Sequence, residues 1–287
     1  MFRQVLVAID GIDGIDGIGS LLRVAVGAAS RLDAGLLLWG VLHPGENRHE
    51  LEQRLHELLR NEARGNGAFM AVAAGDPVQA LLDRTEQAPG TLVCMLAEDR
   101  TGCGPHGPLG FAGGWLRRTN APTLVVGPHL ARAGGVMSWH RLVACVDASD
   151  RGERALETAS AFARSSGLEL LVIQAVCDGD GVFDRRRTRH YVDALAQSVR
   201  PPASALVLDA VDGPARALYT ETNAMDGAIL AVAPRGRSGC GATATTSGRI
   251  GSVTGELIGH SIGPVLVIPE PSPFAFAGPH RPGSVMW

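Results

Sequence analysis

Residues 141–147, RLVACVD, form a short apolar run that ends on an acid, and residues 4–10, QVLVAID, do the same 137 positions earlier. Continuous apolar runs of this length are the signature of strands buried on both faces of a parallel sheet. The interval recurs along the chain. Pro77 returns as Pro214 in VAAGDPVQALL and DAVDGPARALY, Cys103 as Cys240 in TGCG and SGCG, and Gly114 as Gly251. Two copies of one folding unit follow from this recurrence. Gly35 and Gly167 stand only 132 apart, so a small insertion near the first copy's first loop is cancelled further on, as diverged duplication would leave it.

Outward from these runs, each copy alternates strands and helices. In the second, LVACV (142–146), LELLVIQAV (168–176), ALVLDAV (205–211), GAILAVA (227–233) and VLVI (265–268) read as strands. The segments between them, GERALETASAFARSS, RHYVDALAQSV, PARALYTETN and GSVTGELIGHS, carry helical periodicity. The first copy matches, with strands near 4–9, 36–41, 69–73, 91–97 and 123–126 and helices near 20–33, 48–64, 77–87 and 114–119. The pattern predicts an α/β protein of two tandem doubly wound domains, each with a five-stranded parallel sheet. Their expected bounds are 1–128 and 141–269, joined by the Gly-containing linker 129–141. The Pro-rich tail 270–287 is expected to be disordered, although Phe274, Phe276 and Trp287 offer apolar groups for docking.

Composition narrows the function. The 287 residues hold 26 Lys plus Arg against 29 Asp plus Glu, a net charge of −3, which gives no electrostatic reason to expect nucleic acid or an anionic membrane as partner. The first apolar run is interrupted by Asp10, and no run approaches the roughly 18 residues of a membrane span. Five cysteines without CxxC spacing fit a reduced, cytoplasmic protein.

In an open parallel sheet, ligands bind at the carboxyl ends of the strands where the chain order reverses. The second copy's fourth strand leads there into APRGRSGCGATATTSGRIGSVTGEL, with Gly236, Gly239, Gly241, Gly248 and Gly251, and then Ser252 at an expected helix start. Glycines let backbone N–H groups close on a ligand, and a helix N-terminus favours anions. The spacing is Ser238, two residues, Gly241, nine residues, Gly251-Ser252. It suits a phosphate cradle with a hydroxyl at its mouth.

The order strand-Asp, GDP-like turn, apolar strand, Gly-rich loop, Gly-Ser helix start and closing PVLVIP resembles the universal stress protein family, within the adenine nucleotide alpha hydrolase-like fold, over nearly the whole chain. Nucleotide-binding members of that family carry Gly, two residues, Gly, nine residues, then Gly with Ser or Thr, wrapping the phosphates of ATP. Gly241, Gly251 and Ser252 match, as does the thirteen-residue step from Gly251 to Pro264. Ser238 occupies the first Gly position, and sliding to Gly236 and Gly239 restores that pair with two extra residues before Gly251. The resemblance implies ATP, alone or with Mg2+, held by Gly236, Gly239, Gly241, Gly251, Ser252 and Val253, with Asp147, Ala148 and Ser149 on the nucleoside side. Where the family has Gly two residues ahead of a Pro, this chain has Asp212. It also implies a pseudo-dimer formed through the last strands, for which TLVVG and VLVIP supply edges, or a homodimer, and an unidentified protein partner.

In the first copy the loop AEDRTGCGPHGPLGFAGGWLRR aligns Trp115 with Ser252, or Phe111 if Gly110 is the late glycine. A ring then replaces the hydroxyl, the step to Pro122 is shortened, and Glu98 and Asp99 oppose phosphate. The first copy is expected not to bind.

Plainer readings stand beside these. Ser252 can serve as an N-cap, and Asp10 and Asp147 can cap turns. The run GIDGIDGIG (11–19) lacks the spacing of a calcium loop and reads as an insertion. RRRTR (185–189) reads as a solvated helix face, and Cys103 and Cys240, without a nearby base, as inert loop thiols. No Walker loop, HExxH or GxSxG is present. Binding is therefore expected rather than catalysis, with at most slow incidental ATP hydrolysis. The rival expectation is a scaffold without nucleotide, and a third is an enzyme using adenylate chemistry.

Overall fold

The computed structural model describes residues 2–10, 18–43, 45–62, 68–97, 109–133, 138–177, 185–200, 202–235 and 250–270. Gly236, Gly239, Gly241, Cys103, Cys240, most of the GIDGIDGIG run and the tail from 271 lie outside the described residues.

The first copy runs β1 (Gln4–Asp10), α1 (Ile18–Leu32), β2 (Gly35–Leu42), α2 (Arg48–Glu62), β3 (Ala68–Ala74), α3 (Pro77–Gln87), β4 (Thr91–Leu96), α4 (Gly110–Leu116) and β5 (Thr123–Val126). A short α5 (Pro128–Ala133) precedes the second copy. That copy runs β6 (Arg141–Cys145), α6 (Asp150–Ser166), β7 (Glu169–Val176), α7 (Arg185–Ser198), β8 (Ser204–Asp209), α8 (Pro214–Asn223), β9 (Ala228–Val232), α9 (Ser252–His260) and β10 (Val265–Val267).

All ten strands form one sheet in the order β3-β2-β1-β4-β5-β10-β9-β6-β7-β8. Pairing within each copy is parallel. The copies meet where β5 and β10 pair antiparallel, Thr123 opposite Val267 and Val125 opposite Val265. Side chains alternate between two cores, as the period of a strand requires. Val5, Val7 and Ile9 of β1 join the core shared with α1, α2, α6 and α7. Leu6 and Ala8 face the opposite core, shared with α3, α4, α8 and α9. Each core extends through both copies, so three layers run the length of the molecule.

Two expectations need correction. The stretch read wholly as linker begins instead as α5, with Pro128 pre-set for a first helical turn. Trp139, also in that stretch, is 3% exposed. Its carbonyl and that of Ser166 accept hydrogen bonds from the Arg31 guanidinium at the end of α1, at 2.7 and 3.1 Å.

The second correction concerns register. At the two central strands of each copy the interval is 137, Gln4 pairing with Thr91 as Arg141 pairs with Ala228. After the loops the interval is 142. Pro122 accepts from Val93 as Pro264 accepts from Leu230, and Thr119 donates to Trp115 as Ser261 donates to Leu257. The first loop is thus five residues shorter. The counterpart of Ser252 is Gly110, not Trp115 or Phe111, and Trp115 matches the core residue Leu257. Trp115 is fully buried, with its indole N–H donating to Thr123 Oγ1 at 2.9 Å. Accordingly α4 starts at Gly110 rather than near 114.

Candidate functional site

The order of strands reverses between β6 and β9, which lie side by side while their connections leave in opposite directions. Both carboxyl ends therefore open on the same crevice. Asp147, Ala148 and Ser149 occupy the turn from β6 into α6. The Ser149 N–H and hydroxyl both donate to Asp147 Oδ1, at 3.2 and 2.5 Å, and the Gly152 N–H donates to Ser149 Oγ at 3.1 Å. Ser149 is thereby the N-cap of α6, and the acid is folded back over the first helical turn. A Cβ on Gly152 would stand 2.9 Å from Asp147 Oδ1, so only glycine leaves that approach open. Between them Ala148 is left-handed at φ +58°, a conformation that costs a residue with a Cβ about 1–2 kcal/mol. Such strain is characteristic of functional turns.

The first turn of α6 is braced from α7. Tyr191 donates to Glu153 Oε1 at 3.0 Å. Burial, reinforced by the Glu153 charge, pushes the phenol well above its ordinary pKa, so it remains a donor at neutral pH.

Across the crevice the neck of the Gly-rich loop is tied shut. The Gly251 N–H donates to the Pro234 carbonyl at 2.9 Å, and Thr254 Oγ1 donates to the Ala233 carbonyl at 3.0 Å. These bonds dock the N-terminus of α9 against the end of β9. The N-cap of α9 is Gly251, which makes no side-chain capping bond, and Ser252 is the first helical residue with its side chain exposed. The reading of Ser252 as N-cap is thus corrected by one position. Helix-start N–H groups that a capping side chain leaves unmet are the donors an anion takes. Val253 packs its side chain against the core, leaving its backbone as the part that can meet a ligand.

Sequence reasoning missed a basic recess beside this neck. A cavity of about 180 Å3 lies between the α4–β5 turn of the first copy and the carboxyl ends of β9 and β10. Arg117 and Arg118 line it from the first copy, and Arg151, Arg235, Ile250 and Glu270 from the second. Glu270 holds Arg151 Nε at 3.2 Å and also pairs with Arg154. Arg118 donates to Gln79 Oε1 at 2.5 Å. One signal was present in the sequence, since Arg235 stands 137 after Glu98 and so inverts the charge at the loop's mouth.

The first copy's crevice is built differently. His43, just after β2, places Nε2 2.7 Å from Asp10 Oδ1. The matching residue after β7 is Cys177, because Gln4 pairs with Gly35 where Arg141 pairs with Glu169. The N-cap of α4 is Leu109, left-handed at φ +72° and without a capping bond. Among the described residues no group of three or more His, Cys, Asp or Glu is placed to hold a metal ion, and no helix is long and apolar enough to cross a membrane. Cys94, Cys145 and Cys177 are free thiols, and burial drives the first two far above the ordinary thiol pKa.

No family model matches the chain, and no curated protein does. Solved structures do. A universal stress protein from Archaeoglobus fulgidus is 19% identical with a TM-score of 0.61, the match covering 93% of this chain and 98% of that one. A candidate universal stress protein from Pseudomonas aeruginosa is 17% identical with a TM-score of 0.60, covering 93% of each. The chain has the universal stress protein fold, repeated in tandem.

Proposed function

We propose that this chain is a cytoplasmic universal stress protein that binds ATP in its second copy and acts through the bound state rather than through turnover. The observation that carries the reading is the pairing, across one crevice, of the strained Asp147-Ala148-Ser149 turn with a helix N-terminus whose cap is a bare glycine. Asp147 and the turn behind it present a carboxylate and backbone groups suited to a nucleoside. The start of α9, at Gly251, Ser252 and Val253, presents N–H donors and a hydroxyl suited to phosphate. By the sequence resemblance, Gly236, Gly239 and Gly241 complete the phosphate cradle, and Mg2+ accompanies the nucleotide if any metal does. The lack of a Lys in the Gly-rich loop favours binding over phosphoryl transfer. A protein partner would then read the bound conformation.

The test is thermal unfolding of the full chain with and without ATP and magnesium, together with mass spectrometry of small molecules released on denaturation. A ligand at 100 times its Kd stabilises the folded state by about 2.7 kcal/mol, a shift of a few degrees. Gly251→Trp with Ser252→Ala should abolish that shift. A chain that releases no nucleotide and is not stabilised by ATP would instead be a scaffold.

A further inference from the structure

We infer that the first copy completes the second copy's site: Arg117 and Arg118 reach across the seam to the outer phosphates of a nucleoside triphosphate whose base end lies at Asp147. This rests on the nucleotide reading above and adds selectivity for phosphate number.

The topology makes the reach possible. Because β5 runs antiparallel to β10, the turn that enters β5 stands beside the carboxyl ends of β10 and β9. That turn carries Arg117 and Arg118 into the recess, facing Pro234, Arg235 and Ile250 at the loop's neck. Ile250 directly precedes Gly251, so the recess adjoins the N-terminus of α9. Arg151, in the first turn of α6 and four residues past Asp147, extends the same basic lining toward the nucleoside turn. A ligand anchored at Asp147 and passing the start of α9 would therefore end among guanidinium groups. Four arginines and one carboxylate line the recess: Glu270 is shared between Arg151 and Arg154, and Arg118 also lies 4.0 Å from Asp76 Oδ2 outside the lining. At about 180 Å3 the recess has room for phosphate groups. Guanidinium forks match phosphate oxygens in pairs, which makes arginine the suited cation.

The seam itself does not require these arginines. The equivalent turn of the second copy puts Gly259 and His260 where Arg117 and Arg118 stand, given the interval of 142. It approaches the first copy so closely that a Cβ on Gly127 would lie 2.0 Å from the Ile258 carbonyl oxygen. The basic turn faces only the copy whose loop keeps the phosphate-type spacing.

Calorimetric titration of the full chain with ATP, ADP and AMP tests the inference, comparing wild type with Arg117→Ala plus Arg118→Ala. The expected result is a wild-type preference for ATP over AMP that falls about tenfold or more in the double variant, the effect of losing charged hydrogen bonds. Arg118 also holds Gln79, so Arg117→Lys plus Arg118→Lys serves as the control. It should restore part of the preference if charge at the recess is responsible. An unaltered ATP-to-AMP ratio in the alanine variant would overturn the inference and leave the proposed function standing. Wild type that binds no nucleotide would overturn both, and that failure is seen before any variant is made.

Discussion

Asp10 and Asp147 stand at equivalent positions where β1 and β6 give way to their turns, yet one is met by a histidine from the neighbouring strand's loop and the other is folded back by the turn that follows it. The same contrast repeats at the helix starts. α3 is preceded by Gly75 at φ +107° and capped by Asp76, whose carboxylate accepts from the Val78 and Gln79 N–H groups at 2.9 and 3.2 Å. In the second copy the two residues are exchanged. Gly213 takes the positive φ of +95° as the N-cap of α8, and the capping bond is gone. Sheet register is common to the copies, whereas the residues along the carboxyl edge have diverged. Buried strands tolerate little change, because each inward position is packed on both sides, while edge turns can trade capping for ligand contact.

The comparison can be broken most sharply at Trp115. If it matches Leu257, as the packing shows, Trp115→Ala should cost about 3–5 kcal/mol and Leu257→Ala about 2–5 kcal/mol, read from urea midpoints at unchanged slope. A residue at a loop's mouth would cost far less, so a loss below about 1 kcal/mol at Trp115 would restore the match to Ser252. Gly127 tests the seam. Gly127→Ala forces its new Cβ against the Ile258 carbonyl and should destabilise by about 1–3 kcal/mol, with increased amide exchange in β5 and β10. Unchanged exchange there would mean that the two copies do not depend on this approach. The smallest effect concerns the caps. Asp76→Ala should cost about 1 kcal/mol, whereas Asp212→Ala, which removes only an exposed contact 3.5 Å from Arg216, should stay within about 0.5 kcal/mol. Equal losses at the two would show that the second copy's turn is capped after all.

The strands were legible because burial on both faces leaves unbroken apolar runs such as LVACV and GAILAVA, and their alternation with helices gave the doubly wound class, while the order of strands came from the structure. The loop registers were not. Gly114 and Gly251 share the interval of 137 by coincidence of composition, and a five-residue difference inside a Gly-rich loop leaves no apolar period by which to detect it. Hydrogen bonds of Pro122 and Pro264 revealed it. Asp147 could be singled out because it closes an apolar strand with an acid, whereas Ala148 and Ser149 came only from the family resemblance. His43, Arg117, Arg118 and Arg151 were missed because their proximity depends on strand pairing far along the chain, which local pattern does not encode. Helix α5 was missed because a single turn between glycines has too little periodicity to read.

Covalent tandem arrangement gives the β5–β10 seam a further consequence. Two separate chains joined through such strands would come apart on dilution, and each would face a partner identical to itself. Here the two edges share one polypeptide, so their meeting is governed by effective concentration and not by protein concentration. It also frees the halves from mutual identity: a change in one copy is never imposed on the other side of the seam. Division of labour between the halves is thus a product of connectivity, open to a fused pair and closed to a symmetric one.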